Sequence, residues 1–268
     1  MVDNTDIEKC RQSQEHIGAI LSNSKDLSYR EVDIDGMYGE WVSVNRPHMK
    51  KYVILYCHGG GFSTGSSVYA RTLTSKLAMS TSMDVLSFDY GLAPEHPYPA
   101  ALEDAIKAWN YLMLLGYGAR DVIVAGDSAG GNLALVLTFW LKEQKRLLPG
   151  GLVLLSPWTD LTSSGKSHEV RAEMDPVLDE EYLNRMIKAY AEGQELRDPF
   201  ISPLFGEFDG FPSTYIQVGE NEILLSDSTR LHKKMLEANV PVRLERFEGM
   251  WHVFQMSPFK IAYDAMER

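Results

Sequence analysis

The sequence predicts an α/β fold, with a mostly parallel central sheet and helices on both faces. Three observations carry that expectation. Apolar runs of strand length recur from residue 52 to the end of the chain. Segments with helical spacing separate most of them. Two runs close on glycine-framed turns, His58-Gly59-Gly60-Gly61 and Gly126-Asp127-Ser128-Ala129-Gly130. Alternation of this kind implies parallel strands joined by right-handed crossover helices. A length of 268 residues suits a single domain, and 44% hydrophobic with 24% charged residues is a globular composition.

Taken in order, a polar helix is expected over roughly Asp6 to Leu21. Tyr29–Ile34 and Glu40–Val44 read as alternating strands joined by a hairpin near Asp35-Gly36. Tyr52–Cys57 is a continuous apolar strand, followed by a helix over Tyr69–Ser80 and a strand over Val85–Tyr90. Pro99–Leu115 is a helix, its apolar stripe at positions 102, 105, 106, 109 and 112. Then come a strand over Asp121–Ala125, a helix over Gly130–Lys145 and a strand over Gly151–Ser156. The interval 157–213 breaks the rhythm with Pro157, Pro176, Pro199, Pro203 and Pro212 and one amphipathic helix near Asp179–Tyr190. It is expected to pass over the carboxyl edge of the sheet as a small cap, together with about residues 1–27, and not to form a separate domain. A strand over Thr214–Val218, a helix over Asp227–Ala238, a strand over Val242–Phe247 and a helix over Pro258–Met266 complete the chain.

Composition excludes several classes of function. A net charge of −11 argues against nucleic acid and anionic membrane as partners. The two cysteines, Cys10 and Cys57, form no disulfide framework and have no zinc-like spacing. The opening residues have neither a basic region nor an apolar core, so no signal peptide is expected. No apolar run approaches the ~20 residues of a membrane span. A cytoplasmic location is the expectation.

The chemistry lies in the glycine-framed turns. Gly126-Asp127-Ser128-Ala129-Gly130 is a G-x-S-x-G run between a predicted strand and a predicted helix. That is the setting of a strained nucleophile elbow, which exposes a serine hydroxyl. The His-Gly-Gly-Gly run leaves several backbone N–H groups free to converge on one anion. With 7 histidines and 21 glycines in 268 residues, it arises by chance only about 0.003 times. Serine needs a base, and the base needs an orienting acid. His252 alone among the histidines follows the last strand. His16, His48, His96, His168 and His232 fall in helices or early loops and are assigned surface or capping roles. Three carboxylates compete for the acid. Glu220 is expected to point to solvent, Asp227 suits the N-cap of the next helix, and Glu222 lies between them before the apolar Ile223-Leu224-Leu225. Glu222 is the favoured candidate. His58 and Asp127 are expected to shape their loops, and Asp89, Glu95 and Asp160 to pin theirs.

Together these residues resemble the hormone-sensitive-lipase-like α/β-hydrolases, the bacterial family IV esterases, from about residue 28 onward. The resemblance extends to Asp89-Tyr90-Gly91-Leu92-Ala93-Pro94-Glu95-His96-Pro97, to Ser156-Pro157-Trp158-Thr159-Asp160-Leu161 and to Ser202-Pro203-Leu204. It implies an α/β-hydrolase fold and a carboxylesterase acting through a covalent acyl-enzyme. Glu222 stands in the frame of the family's commoner aspartate, Ser226 replaces a second acid, and Gly91 replaces an arginine. The short N-terminal segment implies a small cap. The implied roles are nucleophile for Ser128, base for His252, acid for Glu222 and oxyanion donors for the N–H groups of Gly59, Gly60 and Ala129. Phe62, Trp158 and Trp251 are expected to bind substrate, which favours short acyl esters from acetyl to hexanoyl. No metal or organic cofactor is implied; a homodimer through the last strand and helix would be common for such a family. Two other readings share the fold: a hydrolase of amides or peptides, and a ligand-binding receptor of the kind that has lost the histidine.

Overall fold

The computed structural model describes residues 7–14, 24–48 and 50–268. Among the described residues, eight strands form one sheet in the order β1-β2-β4-β3-β5-β6-β7-β8. They are β1 (Leu27–Ile34), β2 (Met37–Val44), β3 (Val53–Cys57), β4 (Asp84–Phe88), β5 (Val122–Asp127), β6 (Gly151–Leu155), β7 (Thr214–Gly219) and β8 (Val242–Phe247). Only β2 runs against the others, being antiparallel to β1 and β4, while every pairing from β4 to β8 is parallel. The β1–β2 hairpin turns where the sequence predicts it. Asp35 and Gly36 both have positive φ, 53° and 81°, as a two-residue turn matched to strand twist requires.

The helices are α1 (7–14), α2 (Ser67–Thr81), α3 (Ala100–Leu114), α4 (Ala129–Glu143), α5 (Ser167–Val170), α6 (Glu180–Ala191), α7 (Leu225–Glu237) and α8 (Lys260–Met266). Residues 15–21 of the predicted N-terminal helix, and its Asp6, lie outside the described residues. The pleat sorts side chains to two faces. Val53, Leu55 and Cys57 join the larger core with Trp109 of α3, Leu133 of α4 and Leu231 of α7. Ile54 and Tyr56 join a smaller core with Leu73 and Leu77 of α2 and Met266 of α8. A period of two on a strand buried on both sides produces this division.

Three expectations change. The strand before the serine runs to Asp127 rather than stopping at Ala125, because Gly126 and Asp127 still pair with Leu154 and Leu155. Asp227 does not cap α7; Leu224 holds that position. Asp227 lies inside the first turn, fully buried, and its Oδ2 accepts from the amides of Thr159 and Asp160 at 2.7 and 2.8 Å. His168 is likewise no surface residue. It is buried on α5, with Nε2 3.6 Å from Asp227.

Candidate active site

Ser128 is the single residue between β5 and α4, with φ 53° and ψ −121°. Few side chains tolerate that conformation, and the surroundings must enforce it. Glycines on both sides make it possible. A Cβ on Gly126 would lie 2.3 Å from the carbonyl oxygen of Gly130, and one on Gly130 would lie 2.0 Å from that of Cys57. Both distances are far inside van der Waals contact, so strand, elbow and the β3 loop pack backbone to backbone.

Two loops bring the partners to this serine. His252 follows β8, and its Nε2 lies 3.0 Å from Ser128 Oγ. Glu222 follows β7, and its Oε1 lies 3.2 Å from His252 Nδ1. A carboxylate can only accept, so Nδ1 carries the proton and Nε2 is free to accept from the hydroxyl. The other oxygen of Glu222 accepts from Ser156 Oγ and from the Gly219 amide, both at 2.8 Å. Ser156 Oγ in turn accepts from the Val253 amide at 3.2 Å. One hydroxyl therefore joins the acid to the residue after the histidine. Burial by itself would lower the pKa of His252. The hydrogen bond and charge of Glu222, helped by the charges of Asp175 and Asp127, outweigh it and hold the imidazole above its ordinary value.

The glycine loop behaves differently from expectation at Gly59. Its amide does not face the site but donates to Asp127 Oδ1 at 2.9 Å, and the same oxygen accepts from Tyr56 Oη at 2.6 Å. Asp127 is a buried carboxyl, pushed up by desolvation, that ties the glycine loop to the elbow. Gly60 and Gly61 instead line the cavity over Ser128. Their φ values of +114° and +62° suit glycine, and a Cβ on Gly60 would lie 2.2 Å from the Thr64 carbonyl. Ala129 opens α4, so its N–H is one of the four unpaired at a helix start. His58 stacks on Tyr90 at 4.1 Å, and its Nδ1 donates to the Gly59 carbonyl at 2.8 Å. Burial pushes the His58 pKa down, so the ring acts here as a neutral prop.

The cavity over Ser128 measures about 440 Å³. Trp158 and Trp251 line it. Phe62 does not: it is fully buried and stacked at 3.8 Å on Tyr190 of α6. Its position straight after the glycine loop suggested a wall, but with φ at 60° the side chain joins the core. Sequence reasoning passed over Leu178, Tyr182 and Leu183 on and before α6, and Cys10 and Gln14 on α1, which also line the cavity. Ser156 entered only as part of a motif, without its bond to Glu222. Its place at the carboxyl end of a strand, where open α/β sheets bind ligands, was the available signal.

The sequence matches the α/β-hydrolase fold family over residues 54–256. The chain belongs to this family. It is 41% identical over 231 residues to an esterase of Acinetobacter venetianus, spanning 86% of this chain and 76% of that one. It is 38% identical over 215 residues to an acetyl-hydrolase of Streptomyces hygroscopicus, spanning 80% and 71%. The crystal structure of an esterase from the bacterial hormone-sensitive lipase family superposes with a TM-score of 0.94 at 32% identity, covering 98% of this chain and 89% of that one. This α/β-hydrolase therefore falls among the hormone-sensitive-lipase-like members. No helix among its described residues is long and apolar enough to cross a membrane.

Proposed function

We propose that this α/β-hydrolase cleaves short-chain acyl esters through an acyl-enzyme on Ser128. As a family member it is a carboxylic ester hydrolase; the residue roles and the chain length are our reading. Ser128 Oγ attacks the ester carbonyl while its proton passes to His252 Nε2. The tetrahedral oxyanion is held by the N–H groups of Gly60, Gly61 and Ala129. The carbon–oxygen bond to the alcohol then breaks as His252 returns the proton to the leaving oxygen. Water, deprotonated by the same nitrogen, attacks the acyl-serine and releases the acid. Glu222 keeps the proton on Nδ1 and stabilises the imidazolium in both halves. Residues 7–14 and 157–213 form the cap.

The observation that carries this reading is the contact of 3.0 Å between Ser128 Oγ and His252 Nε2, with Glu222 on the other ring nitrogen. A cavity of about 440 Å³ lies at the small end of the range for ligand sites, which supports short acyl groups. The test is a panel of p-nitrophenyl esters from acetate to palmitate, with Ser128→Ala as control and fluorophosphonate labelling. Labelling at Ser128 and a kcat/KM that peaks between acetate and hexanoate are expected. A higher kcat/KM on palmitate would refute the chain length, and undiminished turnover by Ser128→Ala would refute the mechanism.

A further inference from the structure

Asp175 lies in the stretch between α5 and α6, outside the triad. It precedes Pro176, and an Asp-Pro pair is a turn former. Its two carboxylate oxygens serve different masters. Oδ1 accepts from the amides of Val177 and Leu178 at 2.9 and 3.0 Å, folding the turn that presents both residues to the cavity. Oδ2 accepts at 2.9 Å from the amide of Ile223, the residue directly after Glu222. The same loop is held again from α5, where the amides and hydroxyls of Ser167 and Ser226 bond reciprocally at 2.9 and 2.8 Å.

We infer that Asp175 is a positioning residue that couples the substrate-facing wall at 177–178 to the acid loop at 222–223, so that acyl-chain selectivity and the set of the Glu222–His252 pair are fixed by one side chain. The inference rests on the roles proposed above for Ser128, His252 and Glu222. Through that joint, a substrate that fills the wall also steadies the acid, and one too short to press on Val177 and Leu178 gains less. The charge of Asp175 reinforces the geometry. Three carboxylates act on the imidazole: Glu222 from the acid loop, Asp175 from the wall and Asp127 from the elbow. All favour the protonated ring.

Two variants separate the parts. An asparagine keeps one acceptor oxygen for the Val177–Leu178 turn but gives up the charge and the acceptor for Ile223. Asp175→Asn should therefore lower kcat about tenfold, by loss of one charge-assisted hydrogen bond. It should also move the acid limb of kcat/KM to lower pH, and leave the chain-length profile intact. Asp175→Ala should do all of this and also flatten the ratio of kcat/KM between butyrate and acetate. Each protein is first labelled with a fluorophosphonate and melted. If the wild type labels and turns over while both variants keep its pH limb and chain-length profile, the coupling is refuted and the serine mechanism stands. If both variants lose activity in proportion to their fall in Tm, with limb and profile unmoved, Asp175 is a fold residue only. If the wild type itself fails to label at Ser128, the catalytic reading fails first.

Discussion

Glu222 reaches the imidazole of His252 at 3.2 Å from the loop after β7, where the resemblance implies a commoner aspartate. The extra methylene is matched by two donors, Ser156 Oγ and the Gly219 amide, which fix one oxygen and leave the other for His252. Glu222→Asp should lower kcat on the order of tenfold or more, because a misplacement of about 1 Å can cost 10²-fold. Glu222→Gln should cost about 10³–10⁴, the scale seen when a triad acid can no longer select the tautomer. The sign of the pH effect follows from His252. In the proposed role the base works only when neutral, and the His252 pKa is raised, so kcat/KM should fall with acidification at a midpoint above the ordinary ~6.5. In Glu222→Gln that midpoint should move down. A pH–rate profile of both proteins checks this. Ser128 and His252, which lie 3.0 Å apart, were singled out by residue type and by order after successive strands, whereas Glu222 was only the favoured one of three carboxylates until its 3.2 Å contact with His252 was seen. The part played by Gly59 was not legible, since only coordinates show which of three adjacent amides Asp127 takes for itself.

At the scale of elements, the elbow joins β5 to α4 by close backbone approach. Gly130→Ala would set a methyl against the carbonyls of Cys57 and His58 at 2.0 and 2.5 Å. Neither can move without dragging the glycine loop. The substitution should cost at least ~3 kcal/mol, the top of the usual range for overpacking, and activity should fall with it. Gly116→Ala is the contrast: φ is +92° with open space around the site, so about 1–2 kcal/mol of backbone strain is the whole effect. Urea denaturation of the two variants checks the difference. The strands were legible from apolar runs and their ends from glycine. The misjudged boundary at β5 has a physical cause: Gly126 and Asp127 look like turn residues, yet the ladder to β6 extends through them. Phe62 and His168 were misjudged for a common reason. Phe62 packs onto Tyr190 of α6 and His168 lies beside Asp227 of α7, pairings across distant parts of the chain that strand and helix spacing do not announce.

Across the whole molecule, charge shapes access. With a net charge of −11, the enzyme is expected to repel anionic esters more than neutral ones. Screening shortens that repulsion to a range of about 10 Å at 0.1 M salt. Raising ionic strength from 10 to 300 mM should increase kcat/KM several-fold for a monoester of succinate and leave p-nitrophenyl butyrate nearly unchanged. Parallel responses would discount the field. The same salt series bears on the seam between α5 and α7. Ser167 and Ser226 bond to each other there, and neither side chain ionises. Brine and acid, which loosen ion pairs, give these two hydroxyls nothing to act on, in contrast to the His168–Asp227 contact at 3.6 Å in the same seam. Should the enzyme lose turnover in strong salt, the fault would lie in some other joint.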